Sequence, residues 1–327
     1  MRAYVVPQLG PPEVMRVGEV PTPTPGDHDL LVEVHATSVN PVDAKIRVGT
    51  RPRAVPLVLG FDASGVVVGI GAQVKGFNIG DEVYGSPNIF GFGANADYVL
   101  LDSRATAHKP QSLDHVHAAC LPLVSLTAYE ALHERARIHA EQTILIHGGA
   151  GGVGHIAVQL AKLHGCKVIT TAGRDESIAF CRDELKADVV IDYRNEDFVT
   201  RVKQLTSDQG VPVIFDTVGG NVFKKSIECV APLGQLVAIT ASDSGGAAPV
   251  LLYKSITVHY EFMGVRVAYN QQPEKQGAIL TAIAKLVDTQ QLHVHVSKVW
   301  KFEELVEAHR AIETGRTIGK MAVRVKD

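Results

Sequence analysis

The chain is short of several things, and each shortage removes a class of function. Of its 327 residues only four are cysteine: Cys120, Cys166, Cys181 and Cys229. They are widely spaced and form no Cys-x-x-Cys pair, so neither a disulfide framework nor a thiolate zinc site is expected. Free thiols of this kind suit a reducing, cytoplasmic setting. No run of about 18 apolar residues occurs, which leaves no candidate for a helical membrane span. The N-terminal segment lacks a basic start ahead of an apolar core, so no secretory leader is expected. There is no basic block either. Lys and Arg number 32 against 35 Asp and Glu, for a net charge of −3, and nucleic acid is not an expected partner.

The rest of the composition is that of a folded protein. Hydrophobic residues make up 46% and charged residues 20%, and a chain of this length has room for about two domains. The first third reads as β-rich: Ala3–Val6, Leu30–Val34, Gly65–Ile70 and Asp97–Leu101 are short apolar runs broken by Gly and Pro. Pro21-Thr-Pro-Thr-Pro25-Gly26 is a rigid extended turn. From about Cys120–Tyr129 onward strand and helix signals alternate. Strands are expected at Thr143–Ile146, Lys167–Thr171, Val189–Tyr193, Val213–Val218, Gln235–Thr240 and Tyr253–Met263. Helices are expected at Gly152–Leu163, Asp175–Leu185, Asn195–Leu205 and Asn221–Ala231. That is the pattern of βαβ units on a parallel sheet. The tail reads as helix over 274–289, then strand, helix and strand. It breaks the alternation and suits a return to the first domain.

The strongest chemical signal is His147-Gly-Gly-Ala-Gly-Gly-Val-Gly154. Gly149-x-Gly151-x-x-Gly154 follows an expected strand and opens an amphipathic helix, which is the context a dinucleotide-binding loop requires. On this reading Gly149 makes the tight turn, Gly151 lets the backbone approach a pyrophosphate, and Gly154 lets helix and strand pack closely. The backbone of Gly149, Ala150, Gly151, Gly152, Val153 and Gly154 would hold the phosphates at a helix N-terminus.

The second strand indicates which nicotinamide is bound. An NAD site ends that strand with Asp or Glu, about 20 residues past the glycines. Here it ends Thr170-Thr171-Ala172-Gly173-Arg174, and Asp175 and Glu176 fall where a helix N-cap needs them. Without the acid a 2′-phosphate is not repelled, and Arg174 can pair with it. Tyr193, closing the third strand, can add a hydroxyl. The expected cofactor is NADP(H).

Taken together, Asn40-Pro-Val-Asp43, Leu59-Gly60-Phe61-Asp62-Ala63-Ser64-Gly65-Val66, Gly80-Asp81-Glu82-Val83, Thr127-Ala128-Tyr129, the Gly149–Gly154 loop, Ile191-Asp192-Tyr193-Arg194 and Gly319-Lys320-Met321 resemble the medium-chain dehydrogenase/reductases. The match runs in order over nearly the whole chain. Within that superfamily the chain resembles the zinc-independent quinone oxidoreductases and zeta-crystallin. The resemblance implies an α/β architecture, with a Rossmann doubly wound parallel sheet (123–264) inserted in a GroES-like β-barrel domain (1–122 and 265–327). It implies an active site in the cleft, and a homodimer joined through the edges of the nucleotide-binding sheets, near Ser255–Met263.

The resemblance also implies site residues. The zinc ligands of the alcohol dehydrogenases fall here on Asn40, Phe61 and Leu123, none of which suits zinc. The cysteine cluster of their second zinc is missing from 78–107. Asn40 is then a candidate donor to a substrate carbonyl or the nicotinamide, or else an Asn capping a turn before Pro41. Lys45 stands where related enzymes often carry Tyr and is a candidate proton donor, or a solvated lysine. Asp62 is expected to satisfy backbone amides, and Asp43 to pair with Arg47. Thr240, Phe262, Gly264 and Arg266 are expected against the cofactor, while Ser177 lies near the place of a lysine that often holds the 2′-phosphate. Without a Lewis acid, alcohol oxidation is disfavoured. Reduction of quinones or α,β-unsaturated carbonyls needs only hydrogen-bond donors at the developing oxyanion. Three readings stay open: an NADPH-dependent quinone reductase, an enone or enal reductase, and a protein that binds NADPH without turnover.

Overall fold

A computed structural model describes residues 1–51 and 53–326. It divides the chain into two compact units, Met1–Leu126 with Gly264–Asp327, and Thr127–Met263. The division falls a few residues from the expected 122/123 and 264/265. One cause is visible: the Leu123 amide donates to Asp62 at 2.7 Å, which ties the start of the helix Pro122–Tyr129 to the first unit.

The second unit is a six-stranded sheet in the spatial order Val189–Asp192, Lys167–Ala172, Thr143–Ile146, Val211–Asp216, Val230–Ala238, Thr257–Tyr260. Every pairing is parallel. Numbered along the chain the order is 3-2-1-4-5-6, the Rossmann arrangement. A parallel sheet is covered on both faces, so its strands are continuous apolar runs; Ile144, Leu145 and Ile146 are all fully buried. Two expected elements change. Tyr253–Met263 is not one strand: the helix Ala248–Tyr253 ends in a turn at Ser255 (φ +51°) before the strand Thr257–Tyr260. The helix expected over Asp175–Leu185 runs as α only to Ala179. It then widens, and the Leu185 amide reaches the Phe180 carbonyl at 3.1 Å.

The first unit carries a three-stranded sheet, Arg16–Glu19, Arg2–Val6, Leu57–Val58, and a seven-stranded one built around the long strand Asp29–Val39. The tail strand Lys320–Arg324 lies antiparallel to that strand, with Met321 opposite Val39 and Arg324 opposite Ala36. This pairing carries Lys320 from the far end of the sequence to the neighbourhood of Asn40. The core here joins Val6, Leu30, Val32, Phe61, Phe302 and Val323.

The short helix Pro41–Arg47 starts at Asn40, and its Asp43 carboxylate takes the Asn40 amide at 2.8 Å. Asp43 therefore does not pair with Arg47 as expected. It turns back to the helix start, and the fully buried Arg47 instead pairs with Glu313 and donates to the Gly10 carbonyl. Glu313→Ala would leave that guanidinium buried without a counter-charge and lower the unfolding free energy by about 2 kcal/mol. Removing Glu13, the exposed partner of Arg310, should leave the urea midpoint nearly unchanged, because an exposed pair is screened by water. Urea unfolding of E313A and E13A measures both; equal losses would show that Glu313 does not hold Arg47.

Candidate functional site

In the second unit the glycine loop joins the strand Thr143–Ile146 to the helix Gly152–Leu163. The left-handed turn residue is Gly148 (φ +66°), not Gly149 as expected. Gly149 is required for another reason: a Cβ there would lie 2.1 Å from the Thr170 hydroxyl oxygen on the neighbouring strand. Gly154 makes the close approach expected of it, since its Cβ would fall 2.1 Å from the Gly148 carbonyl oxygen.

A buried imidazole pins this loop from below. Ser226 Oγ donates to the Val222 carbonyl at 2.7 Å, so His147 Nε2, 3.0 Å away, must donate to Ser226. Nδ1 then accepts from Thr171 Oγ1 at 3.3 Å, and that oxygen accepts the Gly148 amide at 3.1 Å. Burial pushes the His147 imidazole down to about 3, which keeps it neutral and this order of donors intact. Neither His147 nor Ser226 was a sequence candidate; the only signal was the histidine preceding the glycines.

The helix that follows has Gly151 at its N-cap, no side-chain cap and no acidic residue in its first turn. Gly152, Val153 and Gly154 lack the carbonyl four residues back that an α-helix supplies, so their amides and the positive end of the dipole are left for an anion. A dinucleotide pyrophosphate fits that demand.

At the end of the second strand the helix Asp175–Ala179 starts with Arg174 at the N-cap, so Asp175 and Glu176 lie in its first turn, not at the cap. Gly173 and Tyr193 meet: a Cβ at Gly173 would lie 2.3 Å from Tyr193 Cζ. Tyr193 is itself 56% exposed, and Gly173, Arg174 and Tyr193 thus share one corner of the unit. Ser177 is buried. Thr240 lies past the strand Val230–Ala238, its hydroxyl 3.3 Å from Ser242 Oγ, and Phe262 is exposed. Gly264 and Arg266 belong to the first unit; Arg266 is buried and donates to the Gln271 carbonyl at 3.4 Å.

In the first unit the three positions expected to match the zinc ligands converge on one carboxylate. Asp62 is fully buried and accepts from the Leu123 amide at 2.7 Å, Asn40 Nδ2 at 2.8 Å, Ser38 Oγ, and Lys320 Nζ at 3.3 Å. Phe61 is its chain neighbour. Asn40 is 2% exposed and bridges the pair, its Oδ1 accepting from Lys320. The amide orientation follows from charge, with oxygen toward the ammonium and nitrogen toward the carboxylate. Asn40 is placed to hold this network together. Lys45 does not join it: its side chain is exposed, and residual desolvation, then Arg51, lower its ammonium pKa. Lys320 was missed as a site residue, because only the strand pairing across the chain brings it here. Among the described residues no group of three or more His, Cys, Asp and Glu is placed to hold a metal ion.

Residues 26–111 match the model of the alcohol dehydrogenase GroES-like domain, and 185–323 that of a zinc-binding dehydrogenase domain. A zinc-type alcohol dehydrogenase-like protein of Staphylococcus epidermidis is 38% identical over 93% of each chain. The solved quinone oxidoreductase of Coxiella burnetii is 34% identical, with a TM-score of 0.87 over 100% of this chain and 99% of that one. The Escherichia coli quinone oxidoreductase complexed with NADPH is 27% identical, with a TM-score of 0.90 over 99% and 100%. The chain belongs to the medium-chain dehydrogenase/reductase superfamily. It is an oxidoreductase with a nicotinamide-dinucleotide-binding fold.

Asp43 gives this region a pH signature. Burial pushes its carboxyl up to about 7, against the pull of the Asn40 and Gly60 amides. The folded value lies above the ordinary 3.8, so folding favours the protonated form. This contribution to stability is full below about pH 4 and is lost as pH rises toward 7. Between pH 5 and pH 8 the wild type should therefore lose up to about 3 kcal/mol that Asp43→Asn does not. Urea midpoints of both proteins across that range provide the check, and parallel curves would refute it.

Proposed function

We propose that the chain reduces quinones or related conjugated carbonyls by hydride transfer from NADPH, without zinc. The observation that carries this reading is the uncapped, acid-free helix N-terminus on the glycine loop, in the same unit as a second strand followed by Gly173 and Arg174, with Tyr193 from the end of the third strand against Gly173, where an NAD site has a carboxylate. When bound, the reduced nicotinamide supplies the hydride. The amides of Gly152, Val153 and Gly154 hold the pyrophosphate. Arg174 pairs with the 2′-phosphate, and Tyr193, against Gly173, walls that corner. Thr240 and Phe262 contact the nicotinamide half, and Gly264 and Arg266 are further candidate contacts to the cofactor.

The donor chemistry of the first unit supports a metal-free reaction. An amide, an aromatic ring and an aliphatic chain stand at the ligand positions, and the amide is engaged by Asp62 and Lys320. A quinone or enone needs no metal, because its product anion is delocalised over the ring or enolate. The name of the Staphylococcus relative leaves the metal question to measurement. Asn40 acts through the network as a positioning residue. Lys45, exposed, remains the candidate proton donor, and water can serve in its place.

Arg174→Gln should weaken NADPH binding at least about tenfold and leave NADH binding within about twofold; calorimetry with both cofactors tests this. Oxidation of NADPH by 1,4-benzoquinone and 1,2-naphthoquinone, with no stoichiometric zinc by metal analysis, is the expected result. Turnover of enals but of no quinone moves the assignment to a double-bond reductase. Binding without any oxidation moves it to a non-catalytic NADPH-binding protein.

The same reading includes a homodimer. The sheet ends in the edge strand Thr257–Tyr260, and nearby Leu252 and Tyr253 are 73% and 87% exposed, a combination that invites pairing with a second copy. A cytoplasmic location is in keeping with four free cysteines, all buried.

A further inference from the structure

Arg53 is part-buried. The part-buried Arg2, Arg104 and Arg135 and the buried Arg47 each pair with a carboxylate. Among the described residues no hydrogen bond or ion pair engages the Arg53 guanidinium. Aromatic rings hold it instead: its central carbon lies 5.5 Å from the centroid of Phe61 and 5.2 Å from that of Phe90. Phe61 is buried, while Phe90 is 59% exposed and meets Tyr269, 62% exposed, edge-on at 6.3 Å between centroids. All four residues belong to the first unit.

A guanidinium beside aromatic rings gains cation–π attraction, but ring faces offer no full hydrogen-bond acceptor for its five N–H donors. Half-burial lowers the guanidinium's affinity for its proton, and the charge of Asp43, which makes no hydrogen bond to it, opposes this only in part. Exposed aromatic pairs on irregular loops are in turn characteristic of ligand contact; Phe90 lies in a stretch without regular structure between the strands Glu82–Gly85 and Tyr98–Asp102. A planar ring stacks on such a surface, and two oxygens of a carboxylate or a sulfonate can each accept a bond from a guanidinium edge.

We propose that Arg53, with Phe90 and Tyr269, forms an acceptor-binding subsite selecting planar ring acceptors that carry an anionic group, a carboxylate or sulfonate. This rests on the hydride-transfer reading above and narrows its acceptor class. The subsite acts on binding and not on the chemical step, so its signature is in KM.

The test compares 1,2-naphthoquinone with 1,2-naphthoquinone-4-sulfonate under NADPH, in the wild type, Arg53→Met and Arg53→Lys. In R53M, KM for the sulfonate should rise at least about tenfold, the loss expected for a charge-assisted hydrogen-bonded pair. KM for the uncharged quinone should change less than twofold, and kcat for both should hold. R53K should recover part of the loss, since lysine keeps the charge without the paired edge. Unchanged melting temperature and NADPH affinity in R53M confirm that the fold is intact. Equal effects on the two acceptors, or none on either, overturn the proposal. If no quinone is turned over, the hydride-transfer reading fails on its own. Calorimetry with the unreactive naphthalene-2-sulfonate then decides the subsite: binding lost in R53M supports it, and binding that is absent or equal in both proteins overturns it.

Discussion

A carboxylate removed from water must be surrounded by donors or give up its charge, and much of the first unit is arranged around that requirement at Asp62. Four donors reach it from three places in the chain: Ser38 and Asn40 at the end of one strand, Leu123 at the entry to a helix, and Lys320 on the returning tail. Breaking any one leaves a buried polar group unpaired, which costs more than an ordinary hydrogen bond yields. The network therefore does what a metal ion does in a metallo-enzyme: it fixes separate segments of chain to one point. The difference lies in what remains afterwards. A metal keeps an open coordination position, whereas this cluster is internally satisfied.

The second unit meets the opposite requirement. Its glycine loop ends on amides that nothing in the unit caps, and the loop is held rigid from beneath by His147, Thr171 and Ser226. Rigidity matters because a phosphate site works by presenting fixed donors. A loop free to move would lose entropy on binding and give back part of the gain. The neutral imidazole suits the role, since protonation would turn Nδ1 from acceptor to donor and break the chain of bonds below Gly148.

How far the sequence discloses all this depends on the range of the interaction. The first five strands of the parallel sheet and the glycine loop are local: apolar runs and Gly149, Gly151 and Gly154 announce themselves within a few residues, whereas the sixth strand is shorter than the apolar run Tyr253–Met263 suggests. The turn residue was misplaced by one, because a positive φ at Gly148 and a close approach at Gly149 leave the same letter in the sequence. Arg174 stood out for the same local reason, though its place at the N-cap did not. Long-range partners were not legible. Lys320 is 258 positions from Asp62, and only the antiparallel pairing of the tail strand joins them. Arg47 was assigned to Asp43, four residues away, when its partner Glu313 lies 266 positions on. Short spacing suggests a pair, but the Asp43 carboxylate had backbone amides within reach that serve it better.

The closed polar cluster bears on what chemistry the unit can support under the proposed reading. Lys320 is committed to Asn40 and Asp62, so its ammonium is not free to protonate a substrate, and the Asn40 oxygen is likewise spent. An alcohol or simple ketone gives a localised alkoxide, which needs a Lewis acid or a strong acid at the oxygen. A quinone or conjugated carbonyl gives an anion spread over several atoms, and a modest field suffices. The commitment of the buried lysine thus points the same way as the delocalised anion, toward acceptors whose reduced form needs no proton from this cluster. Arg53, beside Phe61 and Phe90, adds selection at the binding step alone.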